Sequence, residues 1–179
     1  MSQQAVQRSG IGYDSHRFAP GGPMRLGGID IDADMHCSGH SDGDAICHAI
    51  TDALLGAAAL GDIGEMFPDT DPANRNRDSV EMLIAAQQRL TDANYRVHNI
   101  DVTVIAERPK IGPHRAAIGA RLSQALNIPA GNISVKGKTN EGMGWIGAGE
   151  GLAVIALATV VSDAPGEPHA ATVHRESQR

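Results

Sequence analysis

One stretch constrains this chain more than any other: His40-Ser41-Asp42-Gly43-Asp44-Ala45-Ile46-Cys47-His48-Ala49-Ile50-Thr51-Asp52, continuing into Ala53-Leu54-Leu55-Gly56. Asp42 and Asp44 stand where carboxylates favour a helix start, accepting from free N–H groups at the positive end of the dipole. Ile46, Ala49, Ile50, Ala53, Leu54 and Ala57 recur at three- and four-residue steps, which predicts one core-facing stripe. Asp44, His48 and Asp52 recur at four-residue steps on a neighbouring face, so the spacing stacks carboxylate, imidazole and carboxylate. Such a row beside a core stripe is costly to shelter from water. A solvated helix face competes with a functional one, and the rest of the chain decides between them.

At 179 residues the chain suits one domain with a real core. Aromatics are only 3% of it, so Ala, Val, Ile and Leu must fill that core. A formal charge of -6 argues against a nucleic-acid partner, which calls for a basic footprint, but leaves room for a single nucleotide held by metal ions and backbone N–H groups. No apolar run approaches the roughly 20 residues of a membrane span, and the first residues lack a signal-peptide core, so no membrane partner and a cytoplasmic location are expected. Cys37 and Cys47 form no C-x-x-C pair, and Cys47 reads as a small buried hydrophobe.

Taken in order, residues 1–8 are polar and read as a loose tail. Residues 10–18 alternate as a strand, on which Asp14 and His16 project to the same side and the glycines suggest a closely approaching neighbour. Residues 26–31 suggest a hairpin turning at Gly27-Gly28, and residues 36–39 a loop. The long helix is expected to end near Gly61, before an acidic, turn-rich loop over residues 62–72. A second helix from Asp78 or Ser79 carries Val80, Leu83, Ile84, Gln87 and Leu90. Strands are expected at 99–106, 132–138 and 152–161, the last covered on both faces. Pro113 opens a third helix with Ile118, Leu122 and Leu126, and residues 139–149 form a glycine-rich loop. The chain turns polar from Ser162, so the domain is placed at residues 9–162, with 163–179 a flexible tail.

This order implies an α+β fold, a ferredoxin-like mixed sheet with helices on one face. A symmetric oligomer is the natural cover for the other face. Asp14 and His16 with one more imidazole would make a three-ligand metal site, and spacing alone leaves His40 and His48 both open as the third. The run Lys136-Gly137-Lys138-Thr139-Asn140-Glu141-Gly142 mixes cations, a hydroxyl, a carboxylate and bare backbone, which suits phosphate oxygens although it lacks P-loop spacing.

Several motifs together resemble one family. They are Gly12-Tyr13-Asp14-Ser15-His16, His40-Ser41-Asp42-Gly43-Asp44 with His48, the run from Thr51 to Gly64, Phe67-Pro68-Asp69-Thr70-Asp71-Pro72, and Gly149-Glu150-Gly151. Over roughly residues 9–161 the chain resembles the 2-C-methyl-D-erythritol 2,4-cyclodiphosphate synthases of the non-mevalonate isoprenoid pathway. The resemblance implies a homotrimer of ferredoxin-like subunits with active sites between neighbours. It implies Asp14, His16 and His48 as ligands of Zn²⁺ (or Mn²⁺), with Glu141 contacting Mg²⁺ (or Mn²⁺) on the substrate diphosphate. His40 and Thr139 would be the catalytic pair stabilising the transition state. Ser41, Asp62, Ile63, Gly64 and the loop Phe67, Pro68, Asp69, Thr70 and Asp71 would contact the methylerythritol portion, with Asp52 in support. Ala106, Pro109, Lys110, Ile111 and Gly112 would form the cytidine pocket, and Lys138, Asn140 and Trp145 complete the substrate-binding set.

The implied reaction is intramolecular. The 2-phosphate of 4-diphosphocytidyl-2-C-methyl-D-erythritol 2-phosphate attacks the β-phosphorus, giving the cyclic diphosphate and CMP. It asks for positioning and charge neutralisation rather than a side-chain nucleophile, and no Ser-His-Asp arrangement is recognisable here. Three positions depart from the family: Ala148 replaces an arginine associated with anion binding on the trimer axis, and Lys138 and Asn140 replace threonines of some relatives. A metal-dependent phosphohydrolase and a non-catalytic trimeric binding module are the competing readings. The length argues against a fusion with the preceding cytidylyltransferase.

Overall fold

The computed structural model describes residues 5–162. Its strands are β1 (Gln7–Pro20), β2 (Met24–Leu26), β3 (Ile29–Ile31), β4 (Met35–Ser38), β5 (Tyr95–Ile105), β6 (Ile133–Lys138) and β7 (Gly151–Ser162). Its helices are α1 (Ala45–Ala58), α2 (Ile63–Met66), α3 (Ser79–Asp92), α4 (Arg115–Leu126) and α5 (Gly144–Gly147). Five strands form a mixed sheet in the order β4-β1-β7-β5-β6, in which β5 and β6 are parallel and the other neighbours antiparallel. The fold is α+β, with α1, α3 and α4 packed on one face. Among the described residues no helix is long and apolar enough to cross a membrane.

The packing of α1 on β1 sets the site. Successive same-face residues of a strand are about 6.7 Å apart, close to the 6 Å of four helical residues. The two elements run antiparallel at that shared step. Gly10 lies against Ala53 and Ala57, Gly12 against Ala49 and Ala53, and Asp14 meets His48. A β-carbon at Gly10 or Gly12 would stand 2.2 or 1.9 Å from a helix carbonyl oxygen, so the expected close neighbour is the helix backbone itself. All six residues of the expected stripe are buried. So are Ala45, Cys47, Thr51, Leu55 and Ala58, because α3 and the first hairpin enclose the helix from behind the sheet.

Most expected elements stand, with small shifts. The hairpin turns at Gly27 and Gly28, both with positive φ. Asp78 caps α3 by accepting from the Val80 N–H, and Ile118, Leu122 and Leu126 are buried on α4. On α3 Ile84 is exposed, and Met82 and Ala86 take its place in the core. α1 ends at Ala58, with Ala59 in the left-handed conformation, short of Gly61.

Other expectations are corrected. Residues 36–39 are not simply a loop, since Met35–Ser38 pairs with residues 17–20 as an edge strand. β1 opens at Gln7, paired with Val161, so residues 7 and 8 are strand rather than tail. The expected tails over residues 1–4 and 163–179 lie outside the described residues. Within the loops at 62–72 and 139–149, the short helices α2 and α5 form. β7 is buried on one face throughout, whereas on the other Ala153 and Val161 are buried but Ile155 and Leu157 between them are exposed. Its partners across β1 align Ile11 with Leu157 and Tyr13 with Ile155, and these four form an exposed apolar row.

Candidate metal centre and active site

Among the described residues, one group of three potential metal ligands converges: Asp14 and His16 from β1 and His48 from α1, with ligand atoms all within 4.8 Å of one another. Asp14 Oδ2 lies 3.0 Å from His16 Nδ1 and 3.2 Å from His48 Nδ1. The two rings stand 5.4 Å apart, centre to centre. His40 is outside this group. It is exposed, and its carbonyl accepts from the Asn76 N–H.

The donor set fits a divalent cation. His16 Nδ1 is buried and makes no hydrogen bond, because its close approach to Asp14 has the distance of one without the geometry. A buried, unpartnered imidazole nitrogen beside a carboxylate and a second imidazole nitrogen is the donor set an open three-ligand site requires. The electrostatics of the metal-free cluster agree. Burial alone would raise the Asp14 carboxyl, but the close approach and charge of His16, with the hydrogen bond and charge of His48, outweigh it and hold the group well below the ordinary carboxylate range. Burial pulls the His48 imidazole down, yet Asp14, with Asp44 and Asp42 behind it, carries it above its ordinary value.

The row Asp44, His48 and Asp52 divides into three jobs. Asp44 is fully buried and accepts from Ile46 and Cys47 at the start of α1 and from Gly27 and Gly28 in the hairpin turn, at 2.6–3.1 Å. It is a structural clamp between two elements. His48 turns to Asp14. Asp52 Oδ1 accepts from the Ile63 N–H at 2.8 Å, and burial, with Asp62 and Asp14 nearby, raises its carboxyl. It thereby anchors α2, which Asp62 caps by accepting from the Glu65 N–H, with Gly64 between.

The loop over residues 67–71 is held from inside. Phe67 is buried under the Arg77 guanidinium, the Pro68 carbonyl accepts from Asn74 and from the Asp71 N–H, and Asp71 accepts from the Ala73 N–H. That leaves Asp69 and Thr70 exposed. Ser41 Oγ lies 3.0 Å from His48 Nε2, beside the proposed metal ligands.

A second set gathers at the β6 edge of the sheet, with Lys138 in the same cross-strand row as Ser15. Ala106, Pro109, Lys110, Ile111, Gly112, Lys138 and Thr139 line one cavity of about 290 Å³. Thr139 Oγ1 donates to Glu141 Oε1 at 2.7 Å. Asn140 Nδ2 donates to the Met143 carbonyl. Trp145 lines a different hollow, of about 350 Å³, with Ser15, His16, Arg17 and Glu150. Lys136 does not serve the phosphate-like loop: its Nζ is 2.6 Å from Asp101. Because β7 and β5 lie between β1 and β6, the metal cluster and the Thr139–Glu141 loop are three strand spacings apart, about 14 Å.

Three contributors escaped the sequence reading. Ser79 Oγ lies 2.8 Å from His48 Nε2, and Asp42 bonds Ser79 through both its hydroxyl and its backbone N–H. Glu107 Oε1 accepts from the Asn140 and Gly142 N–H groups and so shapes the loop that carries Glu141. Ser79 and Glu107 lie 31 and 33 residues from the groups they support, and no local spacing announces that.

The model of the YgbB family matches residues 7–161. The 2-C-methyl-D-erythritol 2,4-cyclodiphosphate synthase of Gemmatimonas aurantiaca is 68% identical over 155 residues, covering 87% of this chain and 93% of the relative. Among solved structures, the IspF–CDP complex of Plasmodium falciparum superposes with a TM-score of 0.77 at 36% identity, covering 87% of this chain and 96% of that one. The bifunctional IspDF of Campylobacter jejuni gives a TM-score of 0.86 at 37% identity, covering 89% of this chain but 43% of the bifunctional one. The chain is a member of the YgbB family.

Proposed function

We propose that this chain is a metal-dependent cyclodiphosphate synthase. It converts 4-diphosphocytidyl-2-C-methyl-D-erythritol 2-phosphate into 2-C-methyl-D-erythritol 2,4-cyclodiphosphate and CMP, in the non-mevalonate supply of isoprenoid precursors. The observation that carries the reading is the convergence of Asp14, His16 and His48 in a chain whose relatives bear that name. Asp14, His16 and His48 hold Zn²⁺ or Mn²⁺, and Glu141 contacts Mg²⁺ or Mn²⁺ on the substrate. When bound, these cations polarise the phosphate oxygens and offset their negative charge.

The chain's own residues position the reactants. The cavity at Ala106 and residues 109–112 takes the cytidine. Ser41, Asp62, Ile63, Gly64 and residues 67–71 hold the methylerythritol, over a floor that Asp52 fixes. A 2-phosphate oxygen then bonds to the β-phosphorus, and the bond from that phosphorus to the CMP oxygen breaks. Holding both groups on one substrate makes the attack intramolecular, so no protein nucleophile is needed. His40 and Thr139 donate toward oxygens that gain charge in the transition state.

The assembly we infer is a homotrimer with each site between neighbours. Two features support it: the separation of the two half-sites within one chain, and the exposed row Ile11, Tyr13, Ile155 and Leu157, which needs cover. The test is phosphorus NMR of the cytidyl substrate incubated with protein, Zn²⁺ and Mg²⁺. A cyclic diphosphate with CMP supports the synthase. Linear phosphates alone would indicate a phosphohydrolase, and binding without CMP release a non-catalytic module.

A further inference from the structure

His48 can serve a metal through Nδ1 only if that nitrogen carries no proton, and the fold supplies a reason for it not to. Nδ1 faces Asp14 at 3.2 Å. Nε2 faces the hydroxyl of Ser79 at 2.8 Å, on the first turn of α3. Ser79 is fully buried, and its Oγ donates to Asp42 Oδ1. A carboxylate offers only lone pairs, so the hydroxyl proton is committed to Asp42. The Ser79 oxygen then presents lone pairs to His48, and Nε2 must be the nitrogen that donates.

Asp42 is itself held. It accepts from the Ser79 N–H at 3.1 Å and the Asp44 N–H at 3.2 Å, and Arg25 Nε stands 3.8 Å away. Arg25 in turn pairs with Asp30 of the hairpin and Asp78 at the α3 cap. The orientation is therefore built from three separate elements.

We propose that Ser79 and Asp42 are positioning residues that lock His48 in the Nε2–H tautomer, so that Nδ1 is the nitrogen it offers to the metal. This rests on the metal reading of the Asp14–His16–His48 cluster. Ser41, 3.0 Å from the same Nε2, lies on a loop assigned to substrate, whereas Ser79 is fixed in a helix. Ser79 thus holds the ring whatever Ser41 does.

The experiment combines zinc titration against a chromophoric chelator with long-range ¹H–¹⁵N NMR of the imidazoles in the full chain. Wild type is expected to bind zinc with His48 protonated at Nε2 and metallated at Nδ1. Ser79→Ala keeps the backbone bond to Asp42 but removes the relay, and zinc affinity is expected to fall about 10- to 100-fold. Ser79→Thr restores the hydroxyl and is expected to recover much of that loss. Zinc on Nε2 of His48 in wild type overturns the proposal without any variant, as does a Ser79→Ala protein that binds zinc within twofold of wild type. A wild-type chain that takes no zinc would instead remove the metal reading on which the proposal stands.

Discussion

Gly12 on β1 lies flat against Ala49 of α1, so that a β-carbon added to Gly12 would fall 1.9 Å from the Ala49 carbonyl oxygen. No side-chain rotation relieves a clash with backbone, so the helix would have to lift from the strand. One residue back along the helix and two on along the strand, the same packing sets the 3.2 Å approach of His48 Nδ1 to Asp14. Gly12→Ala is therefore expected to cost about 3 kcal/mol of stability and to weaken zinc binding, although residue 12 is not itself one of the proposed ligands. Urea unfolding and zinc titration of the variant check both halves.

Asp44 belongs to the fold rather than to the chemistry. Its carboxylate satisfies four backbone N–H groups, two in α1 and two in the hairpin. Asp44→Ala removes a helix cap and strands buried donors, and is expected to cost about 3–5 kcal/mol. His48→Ala, which strands no backbone group, is expected to cost far less while abolishing zinc uptake. Paired urea titrations distinguish the two.

The metal-free protein has a pH signature. The folded-state pKa of His48 lies above its ordinary 6.5, so its contribution is complete below pH 6.5 and is lost as pH rises through the folded value. Asp14 is depressed from 3.8, so its contribution holds above that pH and is lost on acidification below it. Metal-free protein is expected to lose stability between pH 6 and 9 by more than His48→Ala does, the difference being this residue's share. Zinc uptake is expected to strengthen over the same range, because the ligand must give up its proton. Unfolding midpoints with and without zinc test the opposite trends.

The open face of the sheet makes its own prediction. Ile11 with Leu157 and Tyr13 with Ile155 form cross-strand pairs exposed by 38–69%. On the trimer proposed above, Leu157→Arg is expected to shift the native mass toward monomer and to lower turnover, since the half-sites of one chain stay apart. Sedimentation equilibrium gives the mass. A variant that remains trimeric would show that this row is not the subunit contact.

Local spacing made much of this legible. The three-to-four step from Ile46 to Ala57 yields α1, and the two-residue step from Asp14 to His16 yields two of the three proposed ligands, because both periods follow from backbone geometry alone. The choice between His40 and His48 needed the tertiary contact, or the resemblance, since either could end beside β1. Spacing also grouped Asp44 with His48, for it reports which face a residue occupies and not what approaches that face. Met35–Ser38 is too short to announce itself as a strand without its β1 partner. Ser79 and Glu107 act across more than 30 residues of chain.

The most direct measurement is metal content and coordination. Zinc-reconstituted protein is expected to hold one ion per chain, with X-ray absorption showing two imidazole nitrogens and a carboxylate oxygen, and His48→Ala is expected to lose the ion while staying folded. A wild-type chain that binds no divalent ion at this centre, or a His48→Ala chain that keeps it with the same coordination, would contradict the account.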